Sequence, residues 1–315
     1  GYDAGRMPQA LTPAAANRRG IIAMSVAMAF FIINDTLVKF VSQSLPAAQL
    51  IFLRGVFATL LMLGVCAAMG VLRRSPDGSL PVRQLLRKPI LLRATLDATA
   101  SMVYLTALFH LPLANATAIN MATPLFITLF AVLAFKEQVG TARWLAIGVG
   151  FAGVLMIVQP AAEGFNAWAL LALGGTLLHA GRDLVTRIIP MNLPTVLITL
   201  STAVAVMLLS GVISLFQGWQ PFNGTQLGLL AAASVFLCAG YYLLILSMRA
   251  GEMSLIAPFR YSGLLFARSL GWLVWRDVPN LLAFCGIALL VAAGLAMLRT
   301  ERARQRAAAL DAASD

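Results

Sequence analysis

The chain is short of charged residues. Only 11% of its 315 residues are Asp, Glu, Lys or Arg, whereas about a quarter of an ordinary soluble domain is charged. Hydrophobic residues make up 60% of the sequence, and its mean hydropathy is +0.86. This balance excludes an ordinary soluble globular protein.

Residues and motifs that carry chemistry are also scarce. The two histidines, His110 and His179, belong to no HExxH pattern. The three cysteines, Cys66, Cys238 and Cys285, lie in apolar segments without the spacing of a metal site. A GxxxxGK(S/T) phosphate-binding loop is missing as well. We therefore expect no metal, no bound cofactor and no ATP hydrolysis.

Long apolar blocks are what the sequence does contain. Each has about 20 residues, enough for a helix to cross about 30 Å of hydrocarbon. Alternating strands of the outer-membrane barrel type are too few. The sequence predicts an all-α polytopic membrane protein. Its ten predicted spans lie at about 21–42, 46–71, 89–110, 113–135, 140–158, 166–187, 192–216, 224–248, 253–275 and 279–298.

Basic residues outnumber acidic ones by 23 to 12, which gives a net charge of +11. Such a surplus can indicate nucleic-acid binding. Here, however, the basic residues concentrate at alternate span ends and in the tail after Arg299. The positive-inside rule then places both termini in the cytoplasm. We expect a multi-pass protein of a bacterial inner membrane with no nucleic-acid partner.

The second half of the chain echoes the first. Setting INDTLVKF against GRDLVTRI aligns Asp35 with Asp183 and Lys39 with Arg187. The same offset aligns two prolines at the start of the following spans. Coincident charges and prolines are harder to attribute to chance than apolar matches, so we predict an internal repeat.

Each repeat contains five spans, an odd number, so the two repeats should have opposite orientations in the membrane. We predict a first five-helix domain at 20–159, a second at 166–298, and a charged cytoplasmic tail at 299–315. Inverted repeats of this kind are typical of secondary transporters, which place their substrate site near the membrane midplane.

Several stretches carry a family resemblance: NDTLVKF, FLRG, ALFHLPLANATAINMATPLFITLFAVLAFKE, WLAIGVGFAGVLMIVQP and a weaker copy of the last that ends in GLAML. In these the chain resembles the drug/metabolite transporter superfamily, specifically ten-helix transporters with two EamA-type domains. The resemblance covers about residues 20–298, and the first half is most similar to S-adenosylmethionine and related metabolite carriers. It implies alternating-access transport of small metabolites, often amino acids or their relatives, without ATP.

Ionisable side chains inside the spans are the main functional candidates. Each costs about 2.5–3.5 kcal/mol at mid-bilayer, so it normally faces a cavity or a partner. By their positions in the spans they form two layers on either side of the midplane. The eight residues are Asp35, Arg54, Arg93, Asp97, Arg182, Asp183, Arg260 and Arg268.

We expect these layers to frame a central substrate site. Five arginines against three aspartates favour an anionic or zwitterionic substrate, because arginine pairs with carboxylate and phosphate. The predicted cavity-lining residues are Arg54, Tyr104, Asn120, His179, Arg260, Tyr261 and Arg268. The predicted gating or coupling residues are Asp35, Asp97, Arg182 and Asp183.

A structural interpretation of some charges stays open. Acid and base stand four residues apart, on one helix face, in the pairs Asp35–Lys39, Arg93–Asp97 and Asp183–Arg187. Such pairs can neutralise each other and simply let a helix insert.

Spans 4 and 9 show polar faces and carry prolines that can bend them. Span 4 contains Pro124, and we expect its polar face to line the cavity. Span 9 is predicted to present a single stripe of side chains toward that cavity: Ser254, Pro258, Tyr261, Leu265, Arg268 and Trp272. Glycines should allow close helix packing at Gly148, Gly150, Gly153, Gly286 and Gly294.

The sequence thus predicts a secondary transporter of a small anionic or zwitterionic metabolite, with lipids as surroundings. A proton or other ion as coupling partner and a homodimer are further expectations. The alternatives are an intramembrane enzyme or a lipid-handling protein that uses the same cavity, and a structural or signalling membrane subunit.

Overall fold

All regular structure described by the computed structural model is helical, as the sequence predicts. The structure describes residues 13–72, 83, 85–135, 140–159, 166–186, 189, 194–250 and 256–314. Its helices are α1 Pro13–Val41, α2 Ala47–Ala68, α3 Lys88–His110, α4a Leu113–Asn120, α4b Thr123–Phe135, α5 Thr141–Val158, α6 Trp168–Thr186, α7 Thr195–Gln217, α8 Gly224–Ala250, α9 Ser262–Trp275 and α10 Leu281–Ser314. A 3₁₀ segment, Ala257–Tyr261, precedes α9. Each of the ten predicted spans is therefore represented.

The two outermost helices are longer than predicted. α1 begins at Pro13 instead of near residue 21, and α10 continues without interruption to Ser314. At 1.5 Å per residue, its 34 residues extend over about 51 Å. Because a bilayer core is only about 30 Å thick, the charged tail forms a helical extension of the last span.

Prolines mark where several helices begin. Pro46, Pro112 and Pro194 stand directly before α2, α4a and α7, with φ of −58°, −54° and −59°. Proline holds φ near this value and has no N–H, which suits it to a helix start. Pro46 and Pro194 are the pair that the internal repeat aligns.

Seven spans among the described residues are long and apolar enough to cross a membrane, with α4a and the adjoining part of α4b counted as one. α3, α6 and α9 are not among them. α3 and α6 carry the charges Arg93, Asp97, Arg182 and Asp183, and these two helices pack against each other. Each of these two helices therefore buries the charged face of the other.

The extensive helix interfaces all join one helix of the first five spans to one of the last five. They include α1–α8, α3–α6, α2–α7 and α5–α10. In the predicted repeat, α1 corresponds to α6, α2 to α7 and α3 to α8. The α1–α8 interface therefore corresponds to α3–α6, and the α2–α8 interface corresponds to α3–α7. Both members of each pair occur, so the packing has the symmetry that an internal repeat would produce.

Glycine allows the closest of these approaches, between α5 and α10. A Cβ at Gly153 would lie 2.7 Å from the carbonyl oxygen of Gly286, and one at Gly286 would lie 2.6 Å from that of Gly153. The predicted close packing holds here. It does not hold at Gly148, where an added Cβ meets nothing within 4 Å.

Hydrogen bonds connect the loops at one end of the bundle, which we call the far end because it lies opposite the termini. Gln49 donates to the Gln220 carbonyl at 2.8 Å and accepts from the Gln220 N–H at 2.9 Å. Gln159 and Asn280 exchange amide hydrogen bonds at 2.8 and 3.1 Å. These contacts join α2 to α7 and α5 to α10 at their far ends.

Candidate functional site

The first part of the site is a charge cluster between α3 and α6 in which Asp97 is buried and the other members are partly exposed. Arg182 Nη1 lies 2.6 Å from Asp97 Oδ1, and Arg182 Nε and Nη2 each lie 2.8 Å from Asp183 Oδ1. Arg93 Nη1 lies 3.7 Å from Asp97 Oδ2, so the predicted Arg93–Asp97 pair forms. Two arginines balance two aspartates, and the cluster carries no net charge.

Arg93 also fixes this cluster to its surroundings. Its Nε donates to Thr186 Oγ1 at 2.9 Å, and its Nη1 donates to Thr202 Oγ1 at 2.8 Å. Thr186 ends α6 and Thr202 lies on α7, so one arginine ties three helices together. A guanidinium carries five N–H groups in a fixed plane, so it can donate hydrogen bonds to several acceptors at once.

A second buried cluster connects α1 to α2. Arg54 Nη1 donates to Asn34 Oδ1 at 3.3 Å, and Asn34 Nδ2 donates to Asp35 Oδ1 at 2.9 Å. Asn34 and Arg54 are buried, and Arg54 is the positive group that acts electrostatically on Asp35. Ser234 on α8 donates to the Arg54 carbonyl at 3.0 Å. This cluster is also neutral, because one arginine faces one aspartate.

The structure does not contain the Asp35–Lys39 pair, one of the possibilities that the sequence leaves open, and the cation that acts on Asp35 is Arg54 from another helix. Lys39 Nζ instead donates to the carbonyls of Leu108, at 2.9 Å, and Leu111. These carbonyls belong to the C-terminal end of α3, where a cation is favoured by the unpaired carbonyls and the helix dipole. The corresponding prediction for Asp183 involves Arg187, which lies outside the described residues.

A group of hydrogen-bonding and aromatic side chains is associated with the two clusters. His179 Nδ1 lies 3.0 Å from Asn120 Oδ1, and the His179 and Tyr104 rings are 5.9 Å apart between centroids. The hydrogen bond to a carbonyl oxygen requires the proton to be on Nδ1, which leaves Nε2 as an acceptor when the ring is neutral. Tyr104 interacts electrostatically with Asp35, and His179 with Asp97. The group thus interacts electrostatically with one aspartate of each cluster.

A glycine determines how closely α3 and α6 approach at this point. A Cβ at Gly175 would lie 3.0 Å from both the backbone nitrogen and the Cβ of Tyr104. Such contacts are tighter than most that real side chains make. Gly175 therefore lets α6 pack directly on the backbone that carries Tyr104.

Asn120 lies where span 4 is broken. α4a ends at Asn120, a turn covers Met121 and Ala122, and α4b begins at Thr123. Thr123 Oγ1 donates to the freed Asn120 carbonyl at 2.5 Å. Pro124 follows in the first turn of α4b, where a missing N–H costs nothing. Broken helices in transporters expose a helix N-terminus that favours anionic substrate groups.

Span 9 is irregular as well. Its 3₁₀ segment contains Pro258 and Arg260 and runs directly into α9. Spans 4 and 9 pack against each other. The sequence aligns them as repeat partners, so both copies depart from a regular helix.

The structure does not bring all predicted residues together. Arg268 is exposed on α9 and lies 5.6 Å from the Phe284 ring centroid, and Leu265 and Trp272 are also exposed. This stripe of span 9 faces outward along α9. Tyr261 packs against α10, where a Cβ at Gly294 would overlap its hydroxyl group.

Arg260 is a predicted cavity residue that takes part in no described ion pair. Its side chain is exposed, and no carboxylate among the described residues lies within 4 Å of it. It still acts electrostatically on His179 and Tyr261. It is therefore a positive group that acts on His179 and that no described ion pair neutralises.

Two contributors were not predicted as site residues. Asn34 bridges Asp35 to Arg54, and Tyr241 on α8 interacts electrostatically with Arg54, Asp97 and Arg182. The signal for Asn34 was its position beside Asp35 in an apolar run. Tyr241 had no comparable signal, because it lies in an aromatic pair within an ordinary apolar span.

A family comparison decides the identity of this architecture. The model of the EamA-like transporter family matches the chain twice, at residues 18–159 and 166–299. The chain belongs to the EamA-like transporter family. Membership makes it a multi-pass membrane transporter and not an enzyme, as the sequence predicts.

Named relatives of this EamA-like protein transport different metabolites. The pseudopaline exporter of Pseudomonas aeruginosa is 28% identical, over 90% of this chain and 98% of its own. The riboflavin transporter of Rhizobium johnstonii is 31% identical, over 69% of this chain and 72% of its own. The S-adenosylmethionine uptake transporter of Rickettsia prowazekii is 21% identical, over 86% and 89%.

A solved crystal structure shares the fold of this EamA-like chain. It superposes with a TM-score of 0.59 over 93% of this chain and 99% of its own, at 18% identity. The arrangement of helices is therefore one that occurs in an experimentally determined protein.

Proposed function

We propose that this EamA-like protein is a secondary transporter that carries a small anionic or zwitterionic metabolite, an amino acid or a derivative, across a bacterial inner membrane. The relatives support a small polar metabolite, since they are named for pseudopaline, riboflavin and S-adenosylmethionine. They include an exporter and an uptake transporter, so family membership alone does not fix a direction.

One observation carries the proposal most strongly. Two neutral charge clusters lie within the bundle, and a polar aromatic group at the break of span 4 interacts electrostatically with one aspartate of each. Because the charges within each cluster neutralise one another, the clusters can persist in a low-dielectric bundle. The hydrogen-bonding groups of Tyr104, His179 and Asn120 supply the recognition surface.

Arg260 supplies the charge of the proposed site. It has no described carboxylate partner within 4 Å, whereas Arg54 and Arg182 each interact with an aspartate. A substrate carboxylate or phosphate would complete its pairing, in keeping with the bidentate geometry that arginine offers these groups. Arg268 plays no part in this version of the site.

Alternating access would act on the contacts between the two five-helix halves, 20–159 and 166–298. Asp97, Arg182 and Asp183 serve as a gate between α3 and α6, and Asp35 is assigned to coupling with a proton or another ion. Both termini are placed in the cytoplasm by the distribution of basic residues. The far end of the bundle then faces the periplasm.

The test uses purified full-length protein. A thermal-shift screen of amino acids, S-adenosylmethionine, nucleotides and flavins identifies a ligand, because a compound that binds the folded state raises the melting temperature. Uptake of that ligand into proteoliposomes without ATP then establishes transport. A ligand that binds but is never carried, while lipids are moved, would support the lipid-handling alternative instead.

Two arginines of span 9 provide a matched pair of variants. Arg260→Ala should weaken binding and uptake of an anionic or zwitterionic ligand about tenfold or more, because a charge-assisted hydrogen bond is lost. Arg268→Ala removes an arginine that stacks on Phe284 and should leave both unchanged. Equal effects of the two substitutions would remove Arg260 from the proposed site.

A further inference from the structure

A cavity of about 340 Å³ lies at the far end of the bundle, separate from the central group. Its volume falls within the range of about 300–1,000 Å³ that small-molecule sites occupy. The side chains that matter for its chemistry are Lys39, Gln43, Phe109, His110, Trp275 and Asp277. They come from α1, from the end of α3 and from the connection between α9 and α10.

Lys39 brings a buried positive charge to this cavity. Its side chain is 7% exposed, and its Nζ donates to the carbonyls of Leu108 and Leu111. An ammonium group has three N–H donors, so one remains after these two bonds. Among the described residues, no carboxylate lies within 4 Å of Nζ. Buried charges are normally paired, so this ammonium has capacity for an anionic ligand.

Trp275 contributes a second unused donor. Its Nε1 is buried and has no hydrogen-bond acceptor in the described part of the chain. Its ring centroid lies 5.3 Å from Lys39 Nζ, so the indole ring lies beside the ammonium group. Buried indole N–H groups usually find an acceptor, and one left without a partner costs free energy. A single carboxylate could accept from both.

Asp277 supplies the opposite charge to the cavity lining. It acts electrostatically on Lys39, although the two are too far apart to form an ion pair. The cavity therefore presents a positive and a negative group across a gap. Phe109 and His110 add aromatic surface, and the His110 ring stacks on Trp168 with centroids 3.8 Å apart.

We infer that this far-end cavity is a second binding site that takes a zwitterion of the α-amino-acid type. The ligand carboxylate accepts from Lys39 Nζ and Trp275 Nε1, the ligand ammonium binds Asp277, and an apolar side group lies against Phe109. The inference deepens the proposed transport function, since the cavity provides a docking position at one end of the substrate path.

The experiment measures binding by isothermal titration calorimetry on full-length protein in detergent, with Arg260→Ala to weaken the central site. The probes are L-phenylalanine, 3-phenylpropionate, which lacks the ammonium group, and 2-phenylethylamine, which lacks the carboxylate. We expect L-phenylalanine to bind with one site per chain and to bind about tenfold or more tightly than either other probe, since each loses a charge-assisted contact.

Variants of the cavity then assign its two ends. Asp277→Asn should weaken L-phenylalanine about tenfold and leave 3-phenylpropionate within about twofold, because only the ammonium loses its partner. Lys39→Met should abolish binding of both. Arg276→Gln is the matched control: Arg276 precedes Asp277, stacks on Trp272 and does not line the cavity. It should bind all probes as the parent does.

The possible outcomes separate this inference from the proposed function. Binding that is absent, or is indifferent to Asp277→Asn, overturns the inference even if proteoliposomes containing the wild-type protein transport a metabolite. Selective binding with the predicted variant pattern supports the second site even if no flux is found, and in that case the transport proposal fails alone. Asp277 is at the surface, so its variant remains informative if Lys39→Met does not fold.

Discussion

Replacing Asp97 with asparagine tests whether the ion pair between α3 and α6 holds the bundle together. Arg182 has two carboxylate partners of very different exposure: the Asp97 side chain is 6% exposed and that of Asp183 is 33% exposed. Removing one partner of a buried pair costs about 3–5 kcal/mol, because the other charge is left uncompensated. Arg182 keeps Asp183, so we expect the lower limit, about 3 kcal/mol.

Asp183→Asn provides the matched control, because it removes the other carboxylate of the same arginine. A pair that is a third exposed to solvent contributes at most about 1 kcal/mol. The two variants should therefore differ by about 2 kcal/mol, which corresponds to about 30-fold in the unfolding equilibrium constant. Both substitutions keep side-chain size and remove one negative charge.

The assay is equilibrium unfolding in detergent micelles followed by tryptophan fluorescence, on the parent, both single variants and Arg182→Gln. The double variant Asp97→Asn/Arg182→Gln completes a cycle. Residues in one ion-pair network couple by about 0.5–3 kcal/mol, so its loss should be smaller than the sum of the single losses. Equal losses for the two aspartate variants, or strict additivity in the cycle, would refute the argument.

Three further substitutions test contacts between helices. Gly175→Val should displace Tyr104, because the backbone nitrogen of Tyr104 would lie 3.0 Å from the new Cβ. This variant should reduce substrate flux in proteoliposomes. Gly174→Val, at an open position, should not reduce it. Gln49→Leu removes both hydrogen bonds to Gln220 and should lower the free energy of unfolding by about 1–3 kcal/mol; a value near zero would mean that the far end is held by other contacts. Gly286→Leu forces a side chain onto a facing carbonyl 2.6 Å away and should prevent correct folding, which size-exclusion chromatography would show as aggregation.

The number and positions of the helices could be predicted from the sequence, since a span needs only about 20 apolar residues. α3 and α6 were predicted even though their charges lower their hydropathy, because each still contains an apolar block of about 20 residues. Their mutual packing, which hides Asp97 against Arg182, could not be predicted. It depends on which helices become neighbours across 85 residues of sequence separation.

Helix periodicity predicted which residues share a face but not where that face points. Leu265, Arg268 and Trp272 do share one side of α9, yet that side is exposed. The 3₁₀ segment before α9 has about three residues per turn instead of 3.6. It therefore changes how the residues before α9 are rotated relative to the stripe on α9.

Spacing along one helix also predicted which side chains lie close together, but not which groups they bond to. Lys39 and Asp35 stand four residues apart, but Lys39 bonds to carbonyls at the end of α3. Those carbonyls are available because α3 ends there, at Leu111 with extended backbone. A rule based on one helix cannot include an acceptor that belongs to another helix.

The pairing of helices across the two halves has a consequence for biosynthesis. When α3 has entered the membrane, its main partner α6 has not yet been made, and Asp97 waits for Arg182, 85 residues later in the chain. At about 5–20 residues per second, that delay is about 4–17 s. During this interval the Asp97 carboxylate lies in or near the bilayer, and Arg93, four residues before it, is the cation available to pair with it. Because the helices are synthesised in chain order, Arg93 is the first cation that can neutralise Asp97, and Arg182, its partner in the folded protein, follows later.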